Sequence, residues 1–375
     1  MKISSNFDGG NIEVISKNSV DDIRLRIRSD KRADFLQWFY FRLQGTAGYP
    51  CKIKIINAGN AFSKEGWIHY NACASYDRIS WFRAPSSFDG QILTIDHKPE
   101  CNSVFYAYFV PFTYEQHLDM VHKAQLSGRC VLESVGTTVE GRNIDLLIAG
   151  EPSGEKKKIW ILARQHPGES MASWFMLGFL NRLLDNNDPA SRLLLEKTVC
   201  YIVPYMNIDG GIHGHIRTNL AGADLNREWA DPSRENSPEV YFVLEYMKDT
   251  GVDLNLDIHG EEELPYVFAS SIQGIPGFNE RLSTLQDAFV SNWERISPDF
   301  QTKYGYPPDK PGKANLSICS KNIAHRFDCL SLTIEMPFKD NDNLPDPKYG
   351  WSPERSIKLG ESLINAILCI ADDLR

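Results

Sequence analysis

The sequence predicts an all-β antiparallel sandwich domain followed by an α/β domain with a mixed, largely parallel sheet flanked by helices. Three observations predict it. Strand-like runs fill the first 110 residues with no helical period between them, the pattern changes just past Pro111, and apolar runs then alternate with helical segments to the end. The boundary falls near residue 113, giving domains 1–112 and 113–375.

In the first domain "DIRLRIR" alternates Ile23, Leu25 and Ile27 with Arg24, Arg26 and Arg28, the period of a strand with one face buried and the other in water. "QWFYFRL" (37–43), "CKIKII" (51–56), "QILTI" (91–95) and "SVFYAYFV" (103–110) read as further strands between Gly, Pro, Asn and Asp clusters. "TYEQHLDMVHKAQLSG" then opens the second domain with a Thr113 cap, helical spacing and a Gly128 stop. Beyond it "IDLLIA" (144–149), "KIWILA" (158–163), "VCYIVPYM" (199–206), "VDLNLDI" (252–258) and "CLSLTI" (329–334) read as buried strands. Helical patterns cover 170–185, 237–249, 278–295 and 353–372.

Length and composition fit this plan. A chain of 375 residues, 42% hydrophobic and 24% charged, can bury two sizeable cores, and its ordinary composition argues against disorder. No run approaches the roughly 20 apolar residues of a membrane helix, and "MKISSNFDGGNIEVIS" has no signal-peptide h-region, so a cytoplasmic location is the default expectation. The eight cysteines form no C-x-x-C pair and several sit in apolar runs, which suits reduced core thiols. A formal charge of −9 disfavours nucleic acid and anionic membranes as partners. The sequence gives no basis for an oligomeric state.

In open α/β sheets, ligands bind where loops leave the carboxyl ends of the strands. The polar residues there are Arg164, His166 and Glu169 after 158–163, Asn207 and Asp209 after 199–206, His259 after 252–258, and Glu335 after 329–334. A catalytic zinc site needs three such ligands and one open position, and His166, Glu169 and His259 make that set, with Glu335 left as a base for the attacking water. Taken singly each is ambiguous: Glu169 is also a first-turn helix residue, and His259 could be a satisfied core histidine. "GADLNREW" (222–229) with Arg217 offers two arginines and an amide, either a clamp for a carboxylate or a surface loop whose arginines pair with nearby acids.

Together these residues resemble the zinc metallocarboxypeptidases (peptidase family M14), most closely the cytosolic carboxypeptidase subfamily. The family pattern appears in order as "HPGE" (166–169), "GADLNR" (222–227), "DIHG" (257–260) and "TIEMPF" (333–338). "FDGGNIEVI" (7–15), "WFYFRL" (38–43) and "YFVPFTYEQ" (108–116) are similar to the sandwich that precedes the subfamily's catalytic domain. The resemblance implies one Zn2+ held by His166, Glu169 and His259, Glu335 as general base and acid, and Arg217 as the cation for the oxyanion. It further implies Asn226 and Arg227 on the substrate's terminal carboxylate, Asp224 on the outer nitrogen of a zinc histidine, and a tyrosine over the substrate, a role open between Tyr304 and Tyr306. The implied activity removes the C-terminal residue of a peptide or protein, with acidic ends favoured in the subfamily. Lys310, Lys313, Lys321 and Arg326 could each supply the basic group for such a preference or simply be solvated. The alternatives are an amidase or deacylase acting on acylated amino acids through the same site, and an inactive binding module. A serine hydrolase is disfavoured because there is no G-x-S-x-G elbow.

Overall fold

The computed structural model describes residues 1–375. Ten strands come first: β1 (Lys2–Ser4), β2 (Glu13–Ser19), β3 (Asp22–Arg26), β4 (Tyr40–Gln44), β5 (Cys51–Ile55), β6 (Ala72–Ser75), β7 (Trp81–Ala84), β8 (Ser86–Phe88), β9 (Leu93–His97) and β10 (Ser103–Ala107). They form two five-stranded sheets, ordered β1-β4-β10-β6-β7 and β2-β3-β5-β9-β8. Ile23, Leu25 and Ile27 are buried and the arginines between them face solvent, as the alternation requires. One pair departs from the antiparallel plan: β3 and β5 are parallel, Ile23 beside Ile53. After β3 the chain crosses to the other sheet to make β4 and returns, so it re-enters in the same direction. The run expected as a strand from 37 starts pairing at Tyr40; before it, the Leu36 carbonyl accepts from Phe62 N and the Gln37 side chain bonds to Ser63 and the Tyr108 hydroxyl.

Thr113 then caps α1 (Tyr114–Gln125) in a reciprocal box with Gln116. The rest alternates: β11 (Cys130–Thr137), β12 (Asn143–Ala149), β13 (Lys157–Ala163), α2 (Met171–Leu183), α3 (Pro189–Lys197), β14 (Thr198–Val203), α4 (Ile208–His213), α5 (Pro238–Thr250), β15 (Leu254–Glu261), β16 (Phe268–Ser270), α6 (Glu280–Ile296), α7 (Cys319–Phe327), β17 (Leu330–Pro337) and α8 (Pro353–Leu368). The seven-stranded sheet runs β11-β12-β14-β13-β15-β17-β16. Its four central strands are mutually parallel, and the flanking β11, β12 and β16 run antiparallel to their neighbours. "IDLLIA" is thus one arm of the β11–β12 hairpin, and β11 itself escapes a hydrophobic reading because half its residues are exposed.

Alternation along β13 divides the core. Ile159, Ile161 and Ala163 join the side that carries α2, α6 and α8, while Trp160 and Leu162 join the side that carries α5 and α7. The larger apolar cluster extends without a break from Ile12 in the first half to Leu374 at the other end. All eight cysteines are free and five are buried. No helix is long and apolar enough to cross a membrane.

Candidate active site

Three adjacent parallel strands, β13, β15 and β17, end at the same edge of the sheet. At the end of β13, Arg164 adopts a left-handed backbone (φ 60°), uncommon for a residue with a Cβ. Its buried guanidinium compensates by donating to the Pro167 carbonyl (3.1 Å), Ser173 Oγ (2.9 Å) and Tyr205 Oη (3.0 Å), which folds the Arg-Gln-His-Pro segment back on itself. Gly168 completes the turn: a Cβ there would lie 2.5 Å from Ile216 Cδ1, so only glycine lets the turn close on the neighbouring loop. His166 and Glu169 emerge from this turn. His259 sits on β15 directly beside Glu335 on β17, as register partners.

The structure brings the expected ligands together: their donor atoms lie within 4.8 Å of one another and all three residues are buried. His166 Nδ1 is 2.7 Å from Glu169 Oε1, His259 Nδ1 is 2.9 Å from Glu169 Oε2, and the two Nδ1 atoms are 3.2 Å apart. Each outer nitrogen meets a carboxylate, His166 Nε2 on Asp224 (3.0 Å) and His259 Nε2 on Asp257 (2.9 Å). Burial disfavours the Glu169 carboxylate, yet the two imidazoles outweigh it and hold its pKa down at about 2. Burial also disfavours a charge on His259, but Asp257 and Glu169 push its pKa well above the imidazole range. Two imidazole nitrogens and a carboxylate converging on one buried point, with anchored outer nitrogens, fit a divalent zinc ion. Glu335 lines the cleft beside them, and its Oε2 is buried without a hydrogen-bond partner. Burial, with Glu169 adding to it, raises its pKa well above the carboxylate range, against a smaller pull from His259.

The opposite wall is a loop. Arg217, Asn226 and Arg227 line the same cleft, whose volume is about 310 Å³. Arg217 Nε donates to Asp224 Oδ2 (2.7 Å), so one carboxylate bridges the arginine and His166. Asn226 Oδ1 accepts from the Cys319 backbone (2.8 Å) at the start of α7, which leaves its amide group toward the cleft. Arg227 is exposed and donates one nitrogen to the Asn226 carbonyl. Of the candidate basic residues, Lys321 lines the cleft in an ion pair with Asp309, while Lys310, Lys313 and Arg326 are exposed outside it. Tyr306 also lines the cleft and donates to Glu261, whereas Tyr304 stacks on Tyr266 outside it. Asp257 and Glu262 are additions that the sequence reading lacks. Asp257 had a signal: two residues before His259 on a strand, it shares the histidine's face. Glu262, buried in the cleft wall, had none.

Residues 114–358 match the family described as zinc carboxypeptidase, and residues 3–109 match the cytosolic carboxypeptidase N-terminal domain. A solved chain from Shewanella denitrificans is similar end to end, with a TM-score of 0.99, 50% identity and 100% of both chains covered. A metallo-carboxypeptidase from Pseudomonas aeruginosa, solved in complex with (2-guanidinoethylmercapto)succinic acid, has a TM-score of 0.98 at 44% identity, again with 100% of both chains covered. Cytosolic carboxypeptidase 2 of Xenopus tropicalis is 28% identical over 303 residues, which are 72% of this chain and 31% of that protein. The chain therefore spans about a third of the length of that relative.

Proposed function

The chain belongs to the zinc carboxypeptidase family, and on that premise we propose that it removes the C-terminal residue of peptides or proteins in the cytoplasm, with one zinc ion per chain. The observation that carries this reading is the meeting, in one cleft, of a buried His-Glu-His donor set, an unpartnered carboxylate and two arginines. His166, Glu169 and His259 would hold the metal. Zinc bound there supplies Lewis acidity toward the scissile carbonyl and the attacking water. Glu335 accepts the water's proton and returns it to the leaving amine. Arg217 faces the carbonyl oxygen as it gathers negative charge, a fixed cation whose effect is largest where water is excluded. Arg227 and the amide of Asn226 hold the free carboxylate, which makes the enzyme an exopeptidase. Asp224 and Asp257 fix the imidazole tautomers. Residues 1–112 form a domain that buttresses 113–375.

An acidic terminal side chain is the preferred one. Lys321 is the one basic candidate in the cleft, and such a side chain would take the place of Asp309 on its ammonium. The likeness to the cytosolic subfamily supports the same choice. The ligand of the Pseudomonas aeruginosa relative is a dicarboxylate with a guanidinium arm. In this chain a carboxylate of that kind would meet Arg227, whereas the cationic arm would meet Asp309 and so favours a basic terminal side chain, an outcome that a peptide library separates from the acidic one. Incubating zinc-loaded protein with a peptide library of varied C-termini and reading the products by mass spectrometry tests the proposal. Single-residue shortening, fastest after Glu or Asp, is expected. Cleavage of N-acyl amino acids without shortening of any peptide would point to the amidase, and intact substrates throughout would end the catalytic reading.

A further inference from the structure

The cleft is built by the second half of the chain, but its oxyanion wall is anchored by the first. Asp30, buried between β3 and β4, directs its carboxylate at the loop that carries Arg217. Its Oδ1 accepts from Ile216 N (2.8 Å), and its Oδ2 accepts from Arg217 N (2.9 Å), Thr218 N (2.8 Å) and Thr218 Oγ1 (3.1 Å). Three consecutive backbone N–H groups on one buried carboxylate are charge-assisted bonds, stronger than neutral ones and costly to leave unmade. The Asp30 segment is held in turn, by Asp30 N to the Phe35 carbonyl (2.8 Å) and Lys31 N to His215 Nε2 (2.9 Å). The same half of the chain also grips the far end of Arg217, whose guanidinium carbon lies 5.7 Å from the ring centroid of Phe35 and 5.3 Å from that of Phe62.

We propose that Asp30 is a positioning residue for Arg217, so that the N-terminal sheets complete the catalytic cleft. The backbone at Arg217 is pinned by Asp30, its Nε by Asp224, and its face by Phe35 and Phe62, which leaves the terminal nitrogens aimed without reorganisation during the reaction. The inference rests on the role given to Arg217 above. Glu262, also buried in the cleft wall, interacts with Arg217 only through space, without a salt bridge like that to Asp224.

The test compares wild type, Asp30→Asn, Asp30→Glu, Arg217→Ala and each Asp30 change combined with Arg217→Ala on the best peptide from the library. Zinc content and thermal midpoint are measured alongside, with inhibition by a phosphinic dipeptide isostere that carries a free carboxylate. Asparagine keeps the size but turns N–H groups toward the loop's own donors. It should lower kcat roughly 10- to 100-fold, a fraction of the loss on deleting an oxyanion donor, with KM and zinc content near wild type. Affinity for the phosphinic probe should fall by the same factor as kcat/KM, and Asp30→Glu should recover part of the loss. With Arg217 already alanine, the Asp30→Asn change should alter kcat less than about twofold, because interacting sites are non-additive. Should Asp30→Asn fail to fold, Asp30→Glu carries the test, with a fall in kcat of about 2- to 5-fold that vanishes when combined with Arg217→Ala, and a fall that persists there would overturn the inference. Full, independent losses in the Asp30→Asn/Arg217→Ala double variant, or an unchanged kcat for Asp30→Asn with loss in Arg217→Ala, would overturn the inference about Asp30 alone. An unchanged kcat in Arg217→Ala would instead remove the role given to Arg217.

Discussion

The two walls of the cleft are made in different ways. The metal wall hangs on β13, β15 and β17: sheet register sets His259 beside Glu335, and the turn after β13, tied by the Arg164 side chain, delivers His166 and Glu169. The arginine wall is loop from Gly214 to Trp229; Asp224 ties it from within, and its other anchors arrive from elsewhere: Asp30, Phe35 and Phe62 from the first half, and Cys319 from α7. A regular ladder places ligands cheaply and rigidly, whereas a loop needs a separate anchor for each functional group. The metal wall should therefore fail outright only when a ligand or base is removed, and weaken when an outer carboxylate is lost. The arginine wall should be open to damage from a distance.

The largest effect should come from Glu335→Gln, which removes the base yet leaves every metal donor: zinc near one per chain by mass spectrometry of the metal, with turnover down about 10²- to 10⁴-fold. A carboxyl acts as a base only when ionised, so kcat/KM of the zinc-loaded enzyme should climb as pH rises through the Glu335 pKa, which burial raises and a bound dication would lower. The same acidic limb should be missing from the residual activity of the variant; a limb retained in both would assign it elsewhere. On the other wall, Arg227→Ala should cost about 10- to 100-fold in kcat/KM, the worth of a charged hydrogen bond. The penalty should disappear on peptides with amidated C-termini, and an equal penalty on both would sever Arg227 from carboxylate recognition.

Asp257→Asn sharpens the metal side, where an outer carboxylate is worth about 10- to 100-fold in metal affinity. Competition with a chelator should reveal that loss at neutral pH with little change in kcat once zinc is saturating. Glu239→Gln probes the floor of the arginine wall, where Asn219 Nδ2 donates to Glu239. Burial, aided by Asp209, pushes the Glu239 pKa up to about 7 from 4.5. Its folded pKa is raised, so the stability it contributes is full below about pH 4.5 and lost as pH rises through 7. Above pH 8 the glutamine variant should be more stable than wild type by up to about 3 kcal/mol, and the gap should close by pH 5. Denaturant midpoints at both values read this directly, and parallel pH trends would assign the titration to another group.

Legibility in the sequence follows the same divide. His166, Glu169, His259 and Glu335 stand next to apolar runs, and a strand end is a place that hydrophobic pattern can locate. The central parallel strands were legible for that reason, and β11 was not, since one of its faces lies in water. Arg217, Asn226 and Arg227 were visible as chemistry but ambiguous in place, because nothing in a loop's composition says where it is tied. Asp30 lies in "SDKRAD", a short mixed-charge stretch beside Lys31 and Arg32 that carries no hydrophobic period. Its partners are too far along the chain for any local period to register them. The parallel β3–β5 pair escaped for a related cause: a crossover between sheets leaves no mark on either strand's own alternation.

The contact between Asp30 and Thr218 also spans time. The two residues are 188 positions apart, and at about 5–20 residues per second a ribosome needs roughly 10–40 s to deliver the second after the first. Through that interval Asp30 cannot make its bonds to the loop, nor Phe35 and Phe62 their contacts with Arg217. The N-terminal half is thus synthesised with an anchor whose partner, the Arg217 loop, comes only later.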